Sequence, residues 1–451
     1  MAPSRFAHDL DALKTIASDA LAYALEKGAS ACETESSDGY GQTVTVRKGE
    51  VETIEYNRDK SLAVTVYVGK RKGHASTADF APRAMRDTVE AALTIARFTA
   101  EDESAGLADP EELARDPRDL DLFHPWDLPV ERAIGIAKAC EAAAFRLDKR
   151  VVNSEGASVS CQQWHFALAN SHGFLEGFPT SRHAISCAVI AAEDGRMQRD
   201  DWYVSQRSPQ DLAEPGAVGD YAGRRALARL RSRKIGTVQA PVLFEAPVAN
   251  DLLATFVSAV SGGNLYRKAS FLLDSLGKEV FAPIVTLLER PHLPRAPASS
   301  WFDDEGVATR DRDVVKGGVL RGYFLGSYSA RKLGMKTTGS AGGNHNLILE
   351  GGELDLAGLI RKMGRGLLVT ELIGFGVNLV TGDYSRGAAG YWVEGGEIRY
   401  PVEEITIAGN LREMFRSVAA IGNDALTRGS RTCGSILIEE MTIAEIGRAH
   451  V

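Results

Sequence analysis

From residue 237 to the end, glycines divide the chain into short segments in which apolar and polar residues alternate. Residues 239–244, 284–288, 318–326, 366–373, 389–394 and 397–407 each read as a strand of this kind. A two-residue period turns one side of a segment toward a core and the other toward solvent. Many short, glycine-punctuated strands suit a barrel or sandwich better than a doubly wound sheet. Two helices are predicted among them, at 247–261 and 409–421. In the first, Pro247 suits a first-turn position, and Val248, Leu252, Leu253, Phe256, Val257 and Val260 make an apolar stripe.

The preceding residues follow a different plan. Leu10, Leu13, Ala17, Leu21 and Ala24 recur at helical spacing over 8–27, and Gly28 stops the helix. Strands at 42–46 and 61–68, a turn at 69–73 and a helix at 81–99 come next. Residues 100–121 are acidic, hold two prolines and have few large apolar groups, which predicts a surface linker poor in order. A helix at 129–147, strands at 157–169, 174–177, 183–192 and 198–205, and a helix at 221–234 repeat the helix–strands–helix plan without repeating the sequence. The expected division is an N-terminal α+β segment (1–105), an acidic linker (106–128), a central α+β segment (129–236) and a β-rich C-terminal domain (237–451). The fold class is α+β, with helix–strands–helix units followed by a strand-rich, barrel- or sandwich-like domain.

With 451 residues, 44% of them hydrophobic, the chain can bury its own core. A net charge of −8 argues against general binding of nucleic acid or anionic membranes, which attract basic surfaces. Five scattered cysteines without a CxxC predict reduced thiols and a cytoplasmic protein. No apolar run reaches membrane-spanning length, and the N-terminus lacks the apolar core of a signal peptide.

Familiar catalytic texts are missing. There is no GxGxxG, no GxxxxGK[ST] and no GxSxG. Ser275–Lys278 and Ser329–Lys332 form S-x-x-K strings without an accompanying S-D-N. No two histidines sit on adjacent turns of one helix, as a zinc protease requires. His165 and His183 lie on neighbouring predicted strands, where a shared metal competes with the plainer reading of packed residues. The basic run Arg224–Lys234 reads as a solvated helix end favoured by the helix dipole.

Two segments carry more. Asp303, Asp304 and Glu305, set between aromatics and Gly306, read either as a group for a cation or peptide amine or as a tight turn bonding its own N–H groups. The loop Gly339-Ser-Ala-Gly-Gly-Asn-His-Asn346 reads either as a cradle for extended peptide backbone or as an ordinary flexible loop.

The order of several strings is more specific than any one of them. Asn264-Leu-Tyr-Arg-Lys-Ala-Ser-Phe-Leu-Leu-Asp-Ser-Leu-Gly277 precedes Phe302-Asp-Asp-Glu-Gly-Val-Ala-Thr309 and Gly318-Val-Leu-Arg-Gly-Tyr323. Tyr328-Ser-Ala-Arg-Lys-Leu-Gly334, Thr338-Gly-Ser-Ala-Gly-Gly-Asn-His-Asn346 and Ser435-Ile-Leu-Ile-Glu-Glu-Met-Thr-Ile-Ala444 follow. In this order they closely resemble the TldD/PmbA family, specifically its PmbA (TldE) branch, over nearly the whole chain.

The resemblance implies one subunit of a cytoplasmic TldD–TldE heterodimeric metallopeptidase acting on short or unfolded peptides, with trimming of a microcin precursor and removal of a labile antitoxin among the family's roles. Its TldD branch holds zinc at an HExxxH string opening a helix of the third segment. The matching residues here are Phe244, Glu245 and Ala249, and neither Phe244 nor Ala249 has a lone pair for a metal. The expectation is therefore that this chain binds no cofactor and contributes no catalytic residue, zinc residing on a TldD-type partner. That branch also uses a cysteine near its C-terminus; Cys433, the nearby thiol here, is read as structural. Asp303, Asp304, Glu305, Tyr323, Arg331, Asn344 and Asn346 are the expected peptide- or partner-facing residues. Expected partners are the TldD-type subunit, extended peptides and, in the subunit's absence, a second copy of the chain. The alternatives are a non-proteolytic modulator of DNA gyrase or of a toxin–antitoxin pair, and an independent hydrolase with an unrecognised site. Residues 446–451, His450 included, read as translated adapter sequence and not as native protein.

Overall fold

A computed structural model of the chain describes residues 6–445, so the expectation for 446–451 lies outside the described residues. The chain folds into two compact units: one comprises residues up to 227 with 294–296 and 301–308, the other the remaining residues from 228 onward.

The first unit runs α1 (Leu10–Glu26), β1 (Ala31–Arg47), β2 (Glu50–Val68), β3 (Arg71–Thr77), α2 (Pro82–Phe98), α3 (Val130–Leu147), β4 (Val151–Asn170), β5 (Leu175–Glu193), β6 (Arg196–Gln206) and α4 (Pro215–Ala228). Asp9 caps α1 by accepting the N–H of Ala12 at 2.8 Å. The two expected N-terminal segments share one six-stranded sheet, β3-β2-β1-β4-β5-β6, in which β1 pairs antiparallel with both β2 and β4. Leu62, Val64 and Val66 of β2 bury fully with Leu13 of α1 and Val89 and Leu93 of α2. The acidic stretch is ordered against this unit. It has little regular structure, but Leu107, Leu113, Leu120, Leu122 and Leu128 are buried, so its sparse leucines suffice to pin it where its composition predicted a loose linker.

Lys48 and Gly49 form the two-residue turn between β1 and β2, at φ 52° and 77°. Such a turn matches the twist of the strands it joins. Its two N–H groups donate to the Glu141 carboxylate of α3 at 2.8 and 2.7 Å, and Glu141 is only 2% exposed.

Residues 301–308 complete this unit by burying Trp301, Phe302 and Val307 with Leu113, Leu168 and Phe174. This strap brings Asp303, Asp304 and Glu305 toward β1. Glu33 is pushed up to about 8, first by burial and then by the charge of Glu305, against the pull of Lys72. Glu35 is raised too, by desolvation and then by Asp304.

The second unit contains β7 (Val238–Phe244), α5 (Ala246–Ala259), α6 (Gly262–Tyr266), β8 (Leu287–Glu289), β9 (Arg312–Lys316), β10 (Val319–Leu320), α7 (Ser327–Lys332), β11 (Leu347–Leu349) and α8 (Leu356–Met363). It continues with β12 (Arg365–Ile373), β13 (Asp383–Glu394), β14 (Glu397–Asn410), α9 (Leu411–Arg416), β15 (Val418–Ile421), β16 (Leu426–Arg428), β17 (Arg431–Cys433) and β18 (Ile436–Glu445). Strands β14-β13-β12-β7-β18 follow one another, and β18 returns to pair with β14, closing a five-strand barrel. One side of its strands (Val242, Phe244, Leu367, Val369, Ile438) packs with Leu252 and Phe256 of α5, and the other (Leu243, Leu368, Leu437) with Leu359 of α8. Gly390 lies at a bulge where a Cβ would stand 1.9 Å from the Leu368 carbonyl oxygen, so only glycine lets the two strands close there. A second sheet runs β10-β9-β8-β11-β17-β16. The barrel alternative was thus correct, but the helix expected at 409–421 is cut short after Arg416. Val418 to Ile421 instead pair with β18.

Two outcomes follow for the first unit. Glu141→Ala leaves two turn N–H groups without their acceptor and lowers stability by about 1–3 kcal/mol in urea unfolding; an unchanged midpoint would show that the turn does not lean on this carboxylate. Because the folded pKa of Glu33 exceeds its ordinary 4.5, the native state holds the extra proton. The resulting stability is full below the unfolded value and is lost as pH rises through about 8. Glu33→Gln should therefore raise the melting temperature more at about pH 9 than at about pH 5, and an equal effect at both would refute this coupling.

Candidate functional site

The segment matching HExxxH spans the junction of β7 and α5. Phe244 and Ala249 are wholly buried in the apolar core, and Glu245 is 8% exposed. The Phe244 backbone is held between β12 and β18, opposite Val369 and Ile436. Glu245 donates its N–H to the Val369 carbonyl at 3.0 Å. The first free N–H of α5, on Ala246, donates to Ser435 Oγ at 3.0 Å. Ser435 in turn donates from Oγ and from its N–H to the Asp424 carboxylate, at 2.6 and 2.9 Å. Cys433 Sγ faces the Ala246 carbonyl at 3.7 Å. Closure of β18 onto β7 therefore brings the thiol against the first turn of the motif helix, a placement that sequence alignment alone left open.

The side chains here do not make a zinc site. Neither the Phe244 ring nor the Ala249 methyl has a lone pair for a metal, and burial, followed by the charge of Asp424, pushes the Cys433 thiol up to about 12. Among the described residues no group of three or more His, Cys, Asp or Glu is placed to hold a metal ion. His165 and His183 do not meet: in the β4–β5 register His165 lies opposite Pro179 and His183 opposite Cys161. His165 stacks on Phe6 at 3.7 Å, and His183 Nε2 lies 2.8 Å from the His124 carbonyl oxygen.

Directly after the motif, α5 carries a polar group that sequence reasoning missed. Asn250 donates to the carbonyls of Ala246 and Leu426 at 3.2 and 3.3 Å, and Asp251 pairs with Arg386 of β13 at 2.9 Å. Tyr384 of β13 and Arg431 of β17 join this group; the fully buried Tyr384 hydroxyl is pushed above the usual range by burial. These residues lie far apart in sequence, and no spacing signals their meeting.

The glycine-rich loop is tethered at both ends. Glu289, 3% exposed, is held below the usual carboxylate range by His345 and by Arg312 despite its burial. It accepts the N–H of His345 at 2.7 Å, while Arg312 also donates to the Tyr323 carbonyl at 2.7 Å and to Ser340 Oγ at 3.3 Å. Asn344 donates to the Ser430 carbonyl at 3.0 Å. Asn346 is buried and spends its side chain on the Arg290 carbonyl, Ser299 Oγ and the Ala298 N–H. Between these ties, Gly342 and Gly343 adopt φ 87° and 123°. A loop anchored this way presents fixed backbone groups, unlike the flexible alternative.

The other expected residues fall as follows. Tyr323 is buried, and its hydroxyl accepts the Leu276 N–H at 3.1 Å. Arg331 is half-buried on α7. Asp303 is buried in the first unit, where Oδ1 accepts the N–H groups of Glu305 and Val307 at 3.0 and 2.9 Å and Gly306 takes φ 78°. That is the tight-turn reading. Asp304 is exposed and Glu305 half-buried. Three of the seven residues thus belong to the first unit, and Tyr323, Arg331, Asn344 and Asn346 to the second.

The chain matches family models of the PmbA/TldA metallopeptidase in three consecutive parts: domain 1 over residues 32–96, the central domain over 123–230 and the C-terminal domain over 237–445. It is 48% identical to the metalloprotease PmbA of Escherichia coli O157:H7, over 96% of this chain and 97% of that one. It is 44% identical to a PmbA homolog of Haemophilus influenzae, over 96% of each. A TldD homolog of the same Haemophilus strain is 22% identical over 86% of this chain and 84% of its own. Among solved structures, one from Bacteroides thetaiotaomicron named for modulation of DNA gyrase superposes with a TM-score of 0.91 at 29% identity, covering 96% of this chain and 98% of that one. TldE from Thermococcus kodakarensis shares the fold at a TM-score of 0.82 and 19% identity, covering 95% and 100%. With three consecutive domains and near-complete coverage in agreement, the chain belongs to the PmbA/TldD family, in its PmbA branch.

Proposed function

We propose that this chain is the metal-free subunit of a two-chain cytoplasmic metallopeptidase, working with a TldD-type partner on short or unfolded peptides. The observation that carries this reading is the apolar filling of the motif: Phe244 and Ala249 stand where zinc donors would be, wholly buried. An enzyme of this family with such a junction needs its metal from elsewhere. Support for the partner comes from Haemophilus influenzae, which holds relatives of this chain named for both branches. In this reading the partner supplies zinc. When bound there, the metal polarises water and the peptide carbonyl.

This chain's own residues hold and shield the peptide. The tethered loop 339–346 offers backbone donors and acceptors at little ordering cost, which suits extended peptide. Asp304, Glu305, Arg331 and Asn344 face the peptide or the partner, each from its own unit, while Asp303, Tyr323 and Asn346 set the local backbone. No helix among the described residues is long and apolar enough to cross a membrane. The gyrase reading rests on the names of solved relatives, and no residue described above favours it.

The test mixes the full chain with a TldD-type subunit and an unfolded peptide, with and without chelator. The chain alone should hold no stoichiometric zinc, keep its melting temperature in chelator and cleave nothing. Cleavage should appear with the partner and vanish with chelator. One tightly held zinc per lone protomer together with peptide turnover would overturn the proposal. Sedimentation of the lone chain checks the accompanying expectation of a homodimer.

A further inference from the structure

Beside the motif junction the second unit keeps an unbalanced pair of arginines. Arg386, 8% exposed, pairs through Nη1 with Asp251 at 2.9 Å, and its Nε is buried without a hydrogen-bond partner. Arg431 is half-buried, and its guanidinium has no hydrogen-bond or ion-pair partner among the described residues. Two cations thus face one anion. Asp424, the carboxylate that acts on neighbouring Cys433, is taken by Ser435. Two more buried polar atoms of this group, Asn250 Oδ1 and the Tyr384 hydroxyl, also lack partners.

The group opens to solvent. The Asp251 side chain is 42% exposed, and Phe375, itself 98% exposed, lies 5.8 Å from the Arg386 guanidinium. The tethered loop ends at the same place: Leu347 lies opposite Arg431 in the β11–β17 pair, and its N–H donates to the Ser430 carbonyl at 2.8 Å. Burial depresses the Arg431 pKa, with Asp251 and Cys433 acting the other way. It nonetheless stays charged at neutral pH, as arginines do.

We propose that Arg386 and Arg431 form a receptor for a carboxylate carried by the bound peptide, with Phe375 covering the apolar side chain next to it. A planar guanidinium matches a carboxylate with two parallel hydrogen bonds, and a half-buried cation lacking an anion gains most from one. Asp251 already shows the chemistry on Arg386, and one further negative charge balances the group. The inference rests on the peptide-holding role proposed above and narrows its substrates to peptides bearing a carboxylate near the gripped segment.

The probe is a fluorescently labelled hexapeptide of apolar residues in three forms: free C-terminal acid, C-terminal amide, and amide with one internal glutamate. Anisotropy is read on the full chain, alone and with the TldD-type subunit. The free acid should bind about tenfold more tightly than the plain amide, the size of one charge-assisted contact. Arg431→Gln should erase that difference, and Arg431→Lys should keep part of it. The acid-to-amide comparison is made on the wild-type chain and does not depend on a variant folding. If the glutamate peptide matches the free acid, the receptor takes a side-chain carboxylate as well as a terminal one; if it matches the plain amide, it takes the terminus alone. Either supports the receptor. No preference among the three peptides, or a preference intact in Arg431→Gln, overturns it. Partner-dependent cleavage without any acid preference would remove only the carboxylate receptor; acid preference without partner-dependent cleavage would remove the two-chain reading and leave the receptor standing.

Discussion

The return of β18 to the barrel is the constraint on which the second unit depends. It pairs with β7 on one side and with β14 on the other, so the last strand among the described residues locks the first strand of the unit. Both strand edges are then satisfied, and the ring needs no further cover for its backbone groups. The same closure delivers Cys433, Ser435 and Asp424 to the start of α5. Ser435 there answers the N–H that a helix beginning directly from a buried strand would otherwise leave unpaired.

At this junction two demands compete. A metal site needs lone pairs reaching inward; a sealed core needs surfaces without them. Here the core has won, since Phe244 and Ala249 pack among Leu252, Leu253 and Phe256 with no exposed area. Charge reappears just past Ala249, at Asp251 and its arginines, where α5 reaches solvent. A buried thiol near 12 and a neighbouring Asp424 turned toward Ser435 fit a packing role for Cys433. The polar chemistry of this chain is thus displaced from the strand–helix junction toward the tethered loop and the β16–β17 hairpin.

Several parts of the fold were legible from residues alone. Helices α1, α2 and α3 follow the expected ranges within a few residues, because alanine and leucine recur at helical spacing and a cap or proline marks each start. Strands fared less well. β1 runs from Ala31, not 42, because Glu33, Ser37, Asp38, Gly39 and Gly41 hide its alternation. β2 begins at Glu50, but its first residues are exposed on both faces and carry no period to read. α4 starts at Pro215 and ends at Ala228, inside the arginine-rich run and short of its predicted end at 234. The acidic stretch misled by composition: five leucines spread over it are few per residue, yet each finds a buried place.

That Phe244 and Ala249 offer nothing to a metal is a property of the sequence by itself, since no packing gives a phenyl ring or a methyl a lone pair. The helical spans and the strand-rich character of the last segment were set there as well, being local consequences of period and turn chemistry. Tertiary structure alone decided which distant residues meet. The joining of two segments into one sheet, the closure of a five-strand ring and the gathering of Asp251, Tyr384, Arg386 and Arg431 all depend on strand register. Register is an agreement between segments far apart in the chain, and no local pattern records it.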